Sequence, residues 1–247
     1  LQPKAILLDL DDTIIAYEQG IDLDACWMKV CHTHLAETDA NRMSEIVGLI
    51  KKHAKEYWSD ADRHRIGRLD LPKARTEIVH SVLKQISFDD SELAGRIAVD
   101  YGLVRDELAF LHPGALEAIA YIKSMGIKLA LITNGASSAQ RGKINRFELA
   151  DYFDHIYIEE EFGVGKPDPS IYLHAANQLG AAPEETWMVG DNYQWEVIAP
   201  QQIGIKGVWI NPKGMDTLST YEVQPYRSIH SLSDIVQLLQ ELNGANG

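Results

Sequence analysis

The sequence predicts an α/β protein: a parallel sheet that begins with the first residues, is interrupted by an all-helical insertion, and resumes near residue 112. Three observations carry this. The apolar run Ala5-Ile6-Leu7-Leu8 ends in Asp9-Leu10-Asp11-Asp12-Thr13, as a strand buried on both faces does when its carboxyl end carries a site. Apolar residues then recur at helical spacing as far as about Leu111. From His112 onward strand-like and helix-like stretches alternate, the pattern of parallel βα units.

Taken in order, the first strand leads into the insertion. Leu23, Trp27, Val30 and His34 lie on one helical face, widened by Cys26, Cys31 and Leu35. Ile46, Val47, Ile50, Ala54, Tyr57 and Trp58 define a second helix, and Ile78, Val79, Val82, Leu83 and Ile86 a third, behind Pro72 in its first turn. A fourth starts at Glu92, with Leu93, Ile97 and Tyr101 inward. In the resumed core, helices are predicted at 113–125, 137–147, 170–179, 193–202 and 233–242, and strands at 127–133, 155–158, 186–189 and 206–210. The polar tail 243–247 reads as frayed. This places a core domain at 1–17 and 112–247 and a helical domain at 18–111, linked only through 14–20 and 111–114.

Composition bounds the function. A chain of 247 residues, 45% hydrophobic and 24% charged, is long enough for a sizeable core. A net charge of -13 disfavours nucleic acid and anionic membrane as partners, and no apolar stretch approaches the ~20 residues of a membrane span. No secretory leader opens the sequence, and Cys26 and Cys31 read as packing residues rather than a bridge or metal pair. Both points fit a reducing cytoplasm.

Four strand ends concentrate chemistry. Side chains alternate along a strand, so Asp9 and Asp11 lean to one side, where their repulsion calls for a cation or a shared proton. Thr133-Asn134-Gly135 ends a strand in a hydroxyl and an amide and opens a helix whose amides can receive an anion. Gly163-Val164-Gly165-Lys166-Pro167-Asp168-Pro169 sets one lysine in a stiff loop, and Val189-Gly190-Asp191-Asn192 ends an apolar strand in a carboxylate, with Glu196 following.

In this order and register, the four motifs resemble the haloacid dehalogenase superfamily, over essentially the whole chain. Gln140, Lys143, Leu149 and Phe153 also fall where relatives carry similar groups. The resemblance implies a Rossmann-like sheet core with a helical C1-type cap. It further implies Asp9 as nucleophile, Asp11 as acid and base, and Thr133, Asn134 and Lys166 as phosphoryl-binding groups. Mg²⁺ would be held by Asp9, the Asp11 carbonyl and Asp191. Glu196 stands where many relatives carry a second Asp, which leaves its contact with the metal open; Asp12 reads as a solvated turn residue.

These residues imply a Mg²⁺-dependent phosphatase acting on a small phosphorylated metabolite. Asp11 argues for phosphate chemistry, because true dehalogenases of the superfamily lack the second Asp. A sugar-phosphate mutase or another phosphotransferase is the alternative within the superfamily. A phospho-accepting signalling module or an inactive binding module is the alternative outside it. In the insertion, Arg63, Arg65, Arg68 and Arg75 form a basic group from which one member is expected to bind an anionic part of the substrate. Trp27, Tyr57 and Trp58 read as core of the insertion.

Overall fold

The computed structural model describes residues 2–36, 38–212, 214 and 222–244. Leu1 and residues 245–247, the opening and the tail of the chain, lie outside these. The chain divides into two compact units, Leu1–Ala16 with Phe110–Gly247, and Tyr17–Ala109.

The first unit is built on a six-stranded parallel sheet. Its strands are β1 (Ala5–Leu8), β4 (Lys128–Thr133), β5 (His155–Ile158), β6 (Thr186–Gly190), β7 (Lys206–Ile210) and β8 (Arg227–Ile229), in the order β5-β4-β1-β6-β7-β8. The chain runs outward from β1 to β4 and β5, then returns to the other side of β1 for β6, β7 and β8. That reversal makes the carboxyl end of β1 the switch point where open α/β sheets bind ligands. Register follows from the apolar runs: Leu8 pairs with Leu131 on one side and Val189 on the other. All four residues of β1 are fully buried, which is why this strand reads as continuous hydrophobic sequence. Leu7, Ala130, Ile132 and Met188 from the sheet pack with Ile171, Tyr172 and Ala175 of α9 (Pro169–Gln178).

The other helices of this unit are α6 (Ala115–Ser124), α7 (Ser137–Arg146), α8 (Glu159–Phe162), α10 (Ala199–Gln201) and α11 (Ile235–Gly244). Three features depart from the sequence expectation. The predicted helix at 193–202 opens with a π-helical turn, Gln194–Ile198, before α10. The edge strand β8 and the single-turn α8 are too short to leave a periodic signal. The links expected at 14–20 and 111–114 are partly strand: β2 (Ile15–Ala16) pairs antiparallel with β3 (Phe110–Leu111).

The second unit contains α1 (Leu23–His34), α2 (Ala40–Ser59), α3 (Ala61–Gly67), α4 (Leu71–Gln85) and α5 (Ser91–Leu108). Each begins at an aspartate, Asp22, Asp39, Asp60, Asp70 and Asp90, whose carboxylate accepts from a backbone N–H of the first turn. Such caps satisfy amides that the helix itself leaves open. The predicted connection carrying Arg63, Arg65 and Arg68 is in fact α3 and its C-cap. Cys26 and Cys31 are free thiols buried in this unit's core beside Trp27, Met43, Ile78 and Tyr101, and burial pushes the Cys31 thiol up to about 11. Among the described residues no helix is long and apolar enough to cross a membrane.

Candidate active site

Asp9 is the residue that follows β1, and its N–H still donates to Val189 O at 3.0 Å. The sheet therefore fixes its backbone. One carboxylate oxygen, Oδ1, accepts from Lys166 Nζ at 2.6 Å, and Oδ2 accepts from the Thr13 hydroxyl at 3.2 Å. The chain then turns sharply, with Ile14 and Ile15 N–H donating to Leu10 O and Asp12 N–H to Ile15 O. Asp12 takes the left-handed conformation (φ 56°) at this turn. Aspartate tolerates that region better than most residues. The turn folds Asp12 inward, so it is buried rather than solvated as the sequence suggests.

Asp11 is held separately from Asp9. Lys143 Nζ lies 2.6 Å from both of its carboxylate oxygens, and Gln140 Nε2 donates to Oδ2 at 3.1 Å. Gln140 and Lys143 sit three residues apart on α7, on one face of the helix, and both are buried. The Gln140 amide also reaches the Thr133 hydroxyl and the Asn134 carbonyl. Because Thr133 Oγ1 accepts there, its own hydrogen remains to be donated elsewhere.

Asn134, implied by the resemblance as a phosphoryl-binding residue, has its side chain engaged within the fold: its Oδ1 accepts from the Lys166 N–H at 2.8 Å while its Nδ2 donates to the Lys166 carbonyl at 2.7 Å. Both ends of the amide fix the lysine's backbone, so Asn134 positions Lys166. The N-terminus of α7, offered by the sequence as an anion receptor, meets the chain's own acids: Gly135 N–H donates to Glu159 and Ser137 N–H to Glu160. Glu161 on α8 takes the Ser137 hydroxyl and a bidentate contact from Arg141. Gly165 permits this packing, since a Cβ there would lie 2.6 Å from Asn134 Oδ1 and from Glu159 Cδ.

Lys166 is 1% exposed and bridges Asp9 to Glu196 Oε1, at 2.7 Å from the latter. Burial alone would lower its pKa, but the two carboxylates overcome that and raise it, so the ammonium stays charged. Glu196 is fully buried on the π-helical turn, and among the described residues its second oxygen, Oε2, has no hydrogen-bond partner. Such turns widen a helix and recur at functional sites. Two glycines make room for it: a Cβ on Gly190 would lie 2.4 Å from Glu196 Cγ, and one on Gly207 would lie 2.7 Å from the Glu196 carbonyl.

Asp191 follows β6, its carbonyl fixed by the Trp209 indole N–H at 2.9 Å. Burial, then the charges of Asp9 and Asp12, push its carboxyl up to about 7. Burial pushes Glu196 up to about 8 despite Lys166, with Asp9 adding to the rise. Asp9 is likewise raised, chiefly by burial.

The carboxylates of Asp9, Asp191 and Glu196 outnumber the one ammonium beside them, Lys166, and among the described residues Glu196 Oε2 is without a hydrogen-bond partner. A hard divalent cation fits that donor chemistry. Among the described residues no three acidic, His or Cys side chains are grouped closely enough to hold a metal by themselves. The set implied for Mg²⁺ needs only two side chains, Asp9 and Asp191, with a backbone carbonyl as the third oxygen, so it is compatible with that spacing.

The glyceraldehyde 3-phosphate phosphatase of Pyrococcus abyssi is 28% identical over 249 residues, covering 98% of this chain and 96% of that protein. The pyrimidine 5'-nucleotidase YjjG of Escherichia coli is 26% identical over 235 residues, covering 95% and 96%. Among solved structures, the HAD-hydrolase YfnB of Bacillus subtilis, a form bound to magnesium, superposes with a TM-score of 0.74 at 19% identity, covering 97% of this chain and 99% of that one. The sequence profile of the haloacid dehalogenase-like hydrolases matches residues 3–204. With its strand order, its switch-point acids and that match in agreement, the chain belongs to the haloacid dehalogenase-like hydrolases.

Proposed function

We propose that this hydrolase is a Mg²⁺-dependent phosphatase that cleaves small-molecule phosphate monoesters through a phosphorylated Asp9. The observation that carries the reading is the division of labour between two acids. Asp9 lies against Lys166, and Asp11 is held two residues away by its own lysine and glutamine. A nucleophile beside a cation and a second carboxylate that can move a proton are the two parts that ester hydrolysis needs. Relatives named as glyceraldehyde 3-phosphate phosphatase and pyrimidine 5'-nucleotidase support the substrate class.

The Asp9 carboxylate attacks phosphorus, and the bond between phosphorus and the ester oxygen breaks. Asp11 gives a proton to the departing alkoxide, then removes one from the water that attacks the aspartyl-phosphate, releasing phosphate and restoring both acids. Lys166 offsets negative charge on the nucleophile and on the transferring group, and Thr133 donates its remaining hydrogen to a phosphoryl oxygen. Asp9, Asp191 and the Asp11 carbonyl would hold Mg²⁺, which when bound would neutralise charge on the carboxylates and the phosphoryl group.

The test is turnover of p-nitrophenyl phosphate with Mg²⁺ and with EDTA, in the wild type and in Asp9→Asn. Activity that needs the metal and disappears in Asp9→Asn supports the assignment. Undiminished turnover in the variant would remove Asp9 from its role.

A further inference from the structure

The π-helical turn that carries Glu196 runs into a proline. Ala199 N–H donates back to Gln194 O, the residue five places earlier. One step further, the same ladder would return the N–H of residue 200 to Trp195 O, but Pro200 has no N–H to give. A donor from another helix takes that place: the Tyr172 hydroxyl on α9 donates to Trp195 O at 2.6 Å.

Tyr172 is placed to brace the site. Its side chain is fully buried and packs with Ala130, Ile132 and Met188 of the sheet and with Ala199 at the end of the turn. Burial holds the phenol well above its usual pKa, so the hydroxyl keeps the hydrogen that it donates. α9 starts three residues after Lys166, and its cap Asp168 accepts from Ser170 N–H at 2.9 Å. The residue after Trp195 is Glu196, which meets Lys166 Nζ at 2.7 Å, and Lys166 in turn meets Asp9 at 2.6 Å. One hydroxyl therefore ties the helix that follows the lysine to the turn that holds its second carboxylate. All of these groups lie in the unit built on the six-stranded sheet.

We propose that Tyr172 is a positioning residue for Lys166: its hydroxyl stands in for the N–H that Pro200 lacks, fixes the π-helical turn, and through Glu196 holds the ammonium against Asp9. The catalytic consequence rests on the phosphatase reading; the positioning itself does not.

The test uses Tyr172→Phe, which removes only the hydroxyl, Pro200→Ala, which supplies a backbone N–H, and the double variant. With Mg²⁺ present, kcat for p-nitrophenyl phosphate should fall about tenfold in Tyr172→Phe while KM barely moves, because the lysine's charge matters most where charge shifts in the transition state. Inhibition by vanadate, whose five-coordinate form resembles that state, should weaken by about the same factor, and inhibition by inorganic phosphate should not. A second readout needs no turnover. The Lys166 ammonium, 1% exposed and held by two carboxylates, should give a slowly exchanging ¹⁵N-coupled proton signal, assigned by its loss in Lys166→Met. In Tyr172→Phe that signal should exchange about tenfold faster. In the Pro200→Ala background the added N–H serves the turn, so Tyr172→Phe should change either readout by less than about twofold.

An ammonium that exchanges equally fast in the wild type and Tyr172→Phe overturns the proposal, even if the thermal midpoint falls, because Tyr172 would then be a core residue only. Equal losses in both backgrounds overturn it as well, since the hydroxyl would not be replacing the missing N–H. An active wild type whose kcat is unchanged by Tyr172→Phe does the same and leaves the phosphatase reading intact. If the wild type hydrolyses no ester but the ammonium signal responds as expected, the positioning role stands and the phosphatase reading falls.

Discussion

Replacing Lys143 with Met tests whether Asp11 works as a positioned proton carrier. In the structure the Lys143 ammonium lies 2.6 Å from both Asp11 oxygens, and the two side chains are 9% and 29% exposed. A hydrogen bond to a charged group contributes about 1.5–3 kcal/mol, and about 1.4 kcal/mol corresponds to a tenfold change in rate. Gln140 still contacts Oδ2 in the variant, though at 3.1 Å and without charge. The loss of a held geometry is therefore about ten- to a hundredfold for substrates that need protonation of the departing oxygen, within the range of general acid catalysis.

Leaving-group dependence is the assay. Alkyl phosphates depart as strongly basic alkoxides and need the proton, whereas p-nitrophenolate departs largely without it. In Lys143→Met, kcat/KM should fall much further for alkyl phosphates, steepening the dependence on leaving-group basicity, and Lys143→Arg should recover part of the loss. A fall of equal size across the series would refute the argument, because it would show that Lys143 supports the fold or the binding of phosphate in general.

Further outcomes follow from the same coordinates. Asp191 and Glu196 have raised pKa values, about 7 and about 8, so in metal-free protein the folded state holds more protons than the unfolded between about pH 4.5 and 8. Stability should therefore fall as pH rises through that window, and Mg²⁺ should flatten the decline in a thermal melt. Glu161 has the opposite sign: Arg141 holds its carboxyl down to about 2, so its stabilisation is complete above about pH 4.5 and is lost toward pH 2. Its partial exposure makes that term small. Gly190→Ala forces a Cβ to within 2.4 Å of Glu196 Cγ and 2.9 Å of Asp9 Cβ, and should cost about 1–3 kcal/mol in a denaturant titration as well as activity. Asp90→Ala removes the carboxylate that accepts from Leu93 N–H at 2.8 Å and should lower stability by about 1 kcal/mol.

The parts of the site that the sequence displayed are those fixed by strand ends. An apolar run followed by an acid announces a residue such as Asp9 or Asp191, because the buried strand and the exit of its carboxyl end are both local features. What was hidden depends on side chains from different elements meeting. The division between Asp9 and Asp11 requires Lys143 and Gln140 on α7, more than 120 residues away in the chain. Their spacing matched the superfamily, but spacing alone gave them no task. Asn134 and the amides of α7 pointed outward on paper because neither the Lys166 backbone nor the glutamates of α8 could be placed beside them. A nearer signal existed for α3: Ser59-Asp60 ahead of a polar run marks a capped helix start, obscured by the short length and sparse apolar face of the segment.

The charges at the switch point fall into two groups with different balances, and that difference supports the assignment of roles. Around Asp11 one carboxylate faces one ammonium and an amide, so its charge is already balanced by a neighbour of its own. Around Asp9, Lys166 bridges the carboxylates of Asp9 and Glu196 and its charge is also felt by Asp191, while one Glu196 oxygen has no hydrogen-bond partner among the described residues. A single ammonium cannot neutralise that group when all three are ionised; burial first, and then the neighbouring carboxylates, raise their pKa values. Removing Lys166 would deepen the deficit, while adding a divalent cation would close it. The Lys166→Met variant should therefore bind Mg²⁺ at least as tightly as the wild type in a calorimetric titration, while losing turnover. Weaker metal binding in that variant would mean that the lysine organises the cation site rather than competing with it for the same carboxylates.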